Sequence, residues 1–289
     1  MKRKLLVYVP AAILALLIAA VAYTQNQAKQ PPQLNLNKIK DDLYEIENDG
    51  GNVAVYITNE GVILIDDKFD YDHDAIMEKV KSVTNQPIKY VISTHYHADH
   101  SGGNAKMYSS GADIISTVNS HNNIAEHKQS NAPPGVVPAR ITFTTEEQLF
   151  LGGKQVTARY VGRGHTNGDA VVYFPALKVL HTGDLMAGNT PLIDYPGGGS
   201  LKEWPATLDA AMKDFDFDTV IPGHGPVTTK AMLLSYRNDV EKESKRVAGL
   251  MHSKKSEEEV GKIMMAEYHW MPNSLQMQWS LPGFKTEFK

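Results

Sequence analysis

The 289-residue chain has no cysteine. That absence excludes disulfides, thiol nucleophiles, iron–sulfur clusters and every thiolate metal site together. Any metal must rest on nitrogen and oxygen ligands. A basic excess is missing too: 29 Lys and Arg stand against 33 Asp and Glu, a formal charge of −4. Nucleic-acid binders need cationic surface to meet phosphate, so that class is disfavoured. No repeat of fixed period is present, which removes solenoids and propellers. Gly and Pro, at 22 and 15, are too sparse for a collagen-like or wholly disordered chain. What is there is an ordinary globular composition, 42% hydrophobic and 21% charged, long enough to bury a large core.

The one long apolar run is at the start. Lys2, Arg3 and Lys4 precede apolar residues from Leu5 to Tyr23, and Ala20-Val21-Ala22 ends the run with a small-x-small site. This is the three-part pattern of a secretory signal peptide, with cleavage expected after Ala22. The run also approaches the ~20 residues that span a bilayer, so an uncleaved anchor is the alternative. Either way the chain is expected outside the cytoplasm, in the periplasm or beyond, touching membrane only through this segment. Cleavage would leave 26 basic against 33 acidic residues. Residues 23–34, with Lys29, Pro31 and Pro32, read as a tether. Residues 35–289 show no long break in composition and read as one domain.

Within that domain short apolar runs alternate with helical stretches. Strands are expected at Leu43–Glu47, Val53–Thr58, Val62–Asp66, Ile88–Ser93, Asp113–Thr117, Gln155–Tyr160, Ala170–Phe174, Val179–Thr182 and Thr219–Ile221. Asp49-Gly50-Gly51-Asn52 predicts a hairpin turn. Helices are expected at Asp72–Val83, Asn104–Ser109, Val118–Lys128, Leu201–Lys213, Lys230–Leu250 and Ser256–Glu267. The alternation indicates a layered α/β domain. The tail from Tyr268, with Trp270, Trp279 and Phe284 among Pro and Gly, is expected to pack on the body at an unspecified place.

The chemistry concentrates where strand Ile88–Ser93 ends. Thr94-His95-Tyr96-His97-Ala98-Asp99-His100 is an H-x-H-x-D-H pattern, followed by Ser101-Gly102-Gly103. Chance supplies it on the order of once in a thousand chains of this composition. Imidazole and carboxylate are the natural zinc ligands when thiolate is absent. In an extended segment His95 and His97 point to one side, and the turn into the glycines redirects Asp99 and His100. Three further fragments place a ligand type just beyond a strand: Gly164-His165-Thr166-Asn167-Gly168-Asp169, His181-Thr182-Gly183-Asp184 and Gly223-His224-Gly225. Strand ends are where α/β folds gather their sites. Five histidines and two aspartates suit two metals with one shared carboxylate.

From about Leu43 to about Thr228 these segments, in this order, resemble the metallo-β-lactamase superfamily of αββα-sandwich hydrolases; Gly61–Asp66 resembles the family's strand that ends in a buried Asp. The resemblance implies a four-layered αββα fold and two zinc ions per chain, although iron or manganese also suit these ligands. By the same resemblance His95, His97 and His165 hold one ion, Asp99, His100 and His224 hold the second, and Asp184 bridges. A shared water, acidified between the ions, would attack a carbonyl carbon, with Asp99 orienting it and carrying its proton. There is a departure: the best-known broad-spectrum β-lactamase subclass has Cys where this chain has Asp184, and lacks the His at the position of His100. The all-His/Asp set is that of the wider family of thioesterases and lactonases. The implied substrate is therefore a small molecule with an ester, lactone, thioester or lactam bond. A β-lactamase proper is the first alternative, and a non-catalytic metal-binding accessory protein the second. Nothing in the sequence reveals oligomeric state.

Other residues draw weaker expectations. Asp66 and Asp169 are candidates either to orient ligand imidazoles or to serve as plain turn aspartates. His73, His121, His127, His252 and His269 read as surface or packing residues, His181 as a strand residue, and Tyr96 as a packed aromatic. Lys68 is a weak candidate to meet an anionic substrate. The Gly/Pro-rich segment Met186–Ser200 and the segment Gln129–Arg140 are expected to wall the pocket, the former as a mobile loop.

Overall fold

Thirteen strands among the described residues build two sheets, and side-chain alternation decides what each sheet faces. The computed structural model describes residues 33–129 and 135–289; the expected signal peptide, most of the tether and part of the segment Gln129–Arg140 lie outside them. The first sheet runs in chain order: β1 (Asn35–Lys40), β2 (Leu43–Glu47), β3 (Val53–Ile57), β4 (Val62–Ile65), β5 (Ile88–Ile92), β6 (Asp113–Thr117) and β7 (Ile141–Phe143). β1 to β4 are antiparallel neighbours, and β4 to β7 are parallel. The second sheet has the order β13 (Thr228–Thr229), β12 (Thr219–His224), β11 (Val179–Ala187), β10 (Ala170–Phe174), β9 (Lys154–Tyr160), β8 (Glu146–Leu151). Only β11 and β12 are parallel in it.

Ala54, Tyr56, Ile63 and Ile65 turn inward to meet Ala158, Ala170, Val172 and Phe174 of the other sheet. Their chain neighbours Val53, Val55, Val62 and Leu64 turn outward. There they meet Ile76 and Val80 of α1 (His73–Val83) and Met107 of α3 (Asn104–Ser109). Period-two alternation with both faces apolar thus demands cover on both sides. On the second sheet Val171, Leu180 and Val220 face helices α5 (Trp204–Asp214), α6 (Lys230–His252), α7 (Glu257–Tyr268) and α8 (Leu281–Glu287). The result is the expected four layers, αββα, with three cores.

The helices follow local signals. Thr229 caps α6 by accepting from the Met232 amide, and Ser256 with Glu259 forms a capping box on α7. Several expected bounds shift. Val179–Thr182 extends through Asp184 to Ala187, and Thr219–Ile221 extends to His224. The helix expected at Val118–Lys128 forms as α4 (Val118–Ala125), and the sequence did not reveal β1, β7, β8, β13, a short helix α2 (Ala98–Ser101), or two helical turns in the tail, a π-helical one at Gln276–Ser280 and α8. Among the described residues no helix is long and apolar enough to cross a membrane.

Candidate metal centre

Four segments deliver the polar cluster to one edge of the two sheets. β5 ends at Ile92, and Asp66 at the end of β4 accepts from the Thr94 amide (2.6 Å) and hydroxyl (2.9 Å), which fixes the chain just before His95. His97 then stands as the N-cap of α2, so Asp99 and His100 lie on its first turn. That helical turn, rather than the glycines alone, redirects the two side chains. His165 follows β9, Asp184 sits in β11 beyond Gly183 (φ +50°), and His224 closes β12.

All seven sequence-predicted residues come together. His95 Nε2 lies 3.2 Å from His97 Nδ1, and His165 Nε2 lies 2.9 Å from the same atom. On the other side His100 Nε2 lies 3.2 Å from His224 Nε2 and 3.5 Å from Asp99 Oδ2. Asp184 stands between, its carboxylate 3.2 Å from His100, 3.5 Å from His224 and 3.6 Å from His165. Three overlapping groups have ligand atoms close enough to share an ion: His95/His97/His165, His95/His100/Asp184 and Asp99/His100/His224.

The outer ring nitrogens decide which atoms face inward bare. His97 Nε2 lies 2.9 Å from Asp194 Oδ2, so that nitrogen carries the proton and Nδ1 is free. His165 Nδ1 meets the Leu192 carbonyl at 2.5 Å, which frees its Nε2. The Thr94 hydroxyl donates to Asp66, so it accepts from His95 Nδ1 at 3.0 Å and frees Nε2. His100 Nδ1 meets Asp66 Oδ2 at 2.7 Å, which frees its Nε2. In the His95/His97/His165 group the tautomers thus turn three bare nitrogens towards one another, while His100 Nε2 and His224 Nε2 face the Asp99 and Asp184 carboxylates. Asp184 Oδ1, though buried, has no hydrogen-bond partner. Tetrahedral zinc with nitrogen ligands at ~2.0–2.1 Å would separate them by about 3.3 Å. The donor set fits a pair of such cations.

Electrostatically the two halves differ. Burial, with neighbouring imidazoles, holds His95 well below the usual histidine range and His165 at about 4, so both are neutral ligands. Asp184 raises His224 to about 9. Burial opposes charge on His100 and Asp184, yet carboxylates raise the first on balance and His224 and His100 lower the second. Asp99 likewise ends below its usual range against burial, through His100 and His224.

Of the two supporting candidates, Asp66 does hold an imidazole of the cluster, His100, whereas Asp169 is a turn aspartate that accepts from the Thr166 amide and hydroxyl. Lys68 does not face a substrate. It is fully buried and its ammonium donates to the Asn48 and Gly51 carbonyls, at 2.7 and 2.5 Å, pinning the hairpin turn beside the cluster. Gly51 has to be glycine there because a Cβ would come within 2.2 Å of the His100 ring. Tyr96 packs as expected and its hydroxyl donates to Asp194. The sequence reading missed Asp194, the Leu192 carbonyl and Thr94. No motif marks the first two, which lie in a Gly/Pro-rich loop. That loop, expected to be mobile, is held at Ile193 by Ser280 and at Tyr195 and Ser200 by Glu287. Beside His97 a cavity of about 580 Å³ is lined by Tyr96, Gln129, Asp194, Trp279 and Pro282. The indole of Trp279 lies 5.4 Å from the His97 ring, centroid to centroid.

The family model described as the metallo-β-lactamase superfamily matches residues 46–224, over half the chain. The chain belongs to the metallo-β-lactamase superfamily. It shares that superfamily's hydrolase fold. The metallo-β-lactamase type 2 of Elizabethkingia meningoseptica is 26% identical over 213 residues, which cover 68% of this chain and 80% of that protein. Metallo-β-lactamase IND-1 of Chryseobacterium indologenes is 25% identical over 176 residues, 60% of this chain and 71% of that protein. Among solved structures, a metallo-β-lactamase from Pontibacter korlensis superposes with a TM-score of 0.63 at 24% identity, covering 72% of this chain and 99% of that one. The DIM-1 metallo-β-lactamase superposes with a TM-score of 0.64 at 22% identity, covering 73% and 99%. At these identities the structural matches establish the metallo-β-lactamase fold alone.

Proposed function

We propose that this chain is an exported dinuclear zinc hydrolase that opens a small-molecule ester, lactone, thioester or lactam bond. The observation that carries the reading is the convergence of bare imidazole nitrogens and carboxylates on two adjoining points, with every outer ring nitrogen of four histidines already occupied. His95, His97 and His165 would hold one ion, Asp99, His100 and His224 the second, and Asp184 both. When bound, such a pair supplies Lewis acidity and a water acidified towards neutral pH. Asp66 keeps the His100 ring aimed inward, and Asp194 does the same for His97. The Asp99 side chain, at 24% exposure, is the carboxylate of the cluster that faces solvent with His224. In this reading it would orient the attacking water and pass its proton to the leaving group.

A β-lactamase proper is a second reading, supported by the metallo-β-lactamases among the relatives at 25–26% identity. The absence of any cysteine weighs against the subclass that uses one. Export rests on the pattern of residues 1–22. No nucleic acid is proposed as a partner.

Metal analysis of the purified chain followed by a panel of lactams, lactones, esters, thioesters and phosphodiesters tests all of this. Two ions per chain and turnover that chelation abolishes are expected. Nitrocefin turnover alone would select the β-lactamase reading. Tight metal with no hydrolysis anywhere would favour the accessory protein. Full activity after chelation would sink the mechanism.

A further inference from the structure

The C-terminal segment lies beyond the part of the chain that the family model matches, which ends at residue 224. It nonetheless reaches the metal cluster through a continuous set of hydrogen bonds. Ser280, fully buried at the end of the π-helical turn, accepts from the Ile193 amide at 2.9 Å and donates to the Ile193 carbonyl at 3.0 Å. Seven residues on, the Glu287 carboxylate accepts from the Tyr195 hydroxyl at 2.5 Å, from the Ser200 hydroxyl, and from the Leu201 and Lys202 amides at 3.2 and 3.3 Å. Gly283 lets α8 lie flat on this loop, since a Cβ would come within 1.9 Å of the Tyr195 ring.

The loop so clamped, residues 192–200, is the one that holds two of the histidines. The Leu192 carbonyl fixes His165 and the Asp194 carboxylate fixes His97. The Asp194 amide donates to the His165 carbonyl, and the Ser200 amide to the Gly164 carbonyl. Trp279, the residue before Ser280, stands against His97 itself. The other half of the cluster is built differently. His100 is held by Asp66, and Asn52 ties the hairpin turn to the His224 loop through the Pro222 and Gly225 carbonyls. Neither of those ties touches the tail.

We propose that the segment Gln276–Glu287 is a built-in positioning clamp for the three-histidine ion alone, with Ser280 and Glu287 as its positioning residues. The proposal rests on the dinuclear reading above. Losing an outer support of a ligating imidazole typically weakens metal affinity 10–100-fold. The clamp should therefore set the affinity of the His95/His97/His165 group and leave that of Asp99/His100/His224 unchanged.

Cobalt(II) titration of the full chain, followed by visible absorption, reads the two ligand sets separately. The His97→Ala variant gives the reference spectrum of the half that does not use the tail. Glu287→Gln and the milder Ser280→Ala should each fill the set with the His97→Ala spectrum as tightly as wild type, and the other set ~10–100-fold more weakly. Glu267→Gln, which breaks the Arg246–Glu267 pair between α6 and α7 away from the loop, should titrate as wild type. Equal weakening of both equivalents, or no change in either clamp variant, would overturn the clamp while leaving the dinuclear reading intact. A wild-type chain that binds no cobalt would overturn both.

Discussion

A single buried carboxylate sets the state of one whole side of the cluster. Asp66 accepts from His100 Nδ1, from the Thr94 amide and from the Thr94 hydroxyl, with no exposure to solvent. Asp66→Asn would put an amide donor where three donors already converge. It would push the His100 proton onto Nε2, the atom that must be bare. Affinity for one equivalent of zinc should fall about 10–100-fold, read by competition with a chromophoric chelator, and unchanged affinity would refute the tautomer argument. Gly51 imposes a steric limit on the same ring. In Gly51→Ala the added Cβ, 2.2 Å from His100 Cε1, must displace the turn or the imidazole. A displacement near 1 Å at a reacting centre is worth about 100-fold in turnover. The kcat/KM of Gly51→Ala on the best panel substrate should fall by that order, with its circular dichroism spectrum unchanged.

At the scale of elements, the hairpin turn shows how a residue misread from sequence does its work. Lys68 follows Asp66-Asp67 and looks like a cation for a substrate, yet its ammonium is spent on two carbonyls of the 48–51 turn. Lys68→Met leaves those carbonyls without a donor, at about 1–3 kcal/mol, and should lower the urea midpoint accordingly. Equal midpoints would show that the turn holds itself. The ligands were legible because each lies in a short pattern at a strand end. Of their supports Asp66 was legible at the end of its strand, but the Leu192 carbonyl, Asp194 and Glu287 were not, because they meet the site only through tertiary contacts with no periodicity. The missed strands share a physical reason. β1 (NLNKIK) is a largely exposed edge strand, and β8 leaves Phe150 67% exposed, so neither shows a clean apolar face. α8 was hidden by Pro282 and Gly283, but Pro is tolerated in a first helical turn and the glycine is what seats the helix.

For the molecule as a whole, the three apolar cores include none of the seven His and Asp residues of the cluster, so chelation should remove activity without unfolding the chain. The interior does hold buried acid. Burial raises Glu45 and Asp72 to about 7 and about 6, and raises Glu243 of α6, only 2% exposed, from 4.5 to about 8. One Glu243 oxygen has no hydrogen-bond partner, and burial alone drives its shift. Each of these groups holds its proton more tightly folded than unfolded. Their contribution is therefore fully present below the unfolded values, 4.5 for the two Glu and 3.8 for Asp72, and is lost as pH rises through the folded ones. Stability should decline between about pH 5 and 8, the opposite of the trend set by paired surface carboxylates. Glu243 has the highest of the three values, so it governs the alkaline end. At ~1.4 kcal/mol per unit, Glu243→Gln should remove on the order of 2–4 kcal/mol of that decline. Urea unfolding at pH 5, 6.5 and 8 checks it: the variant's midpoints should fall less steeply than the wild type's, with Glu45 and Asp72 supplying the remaining slope. Parallel curves for the two proteins would mean that Glu243 is ionised in the folded chain and that a partner or bound water offsets its burial.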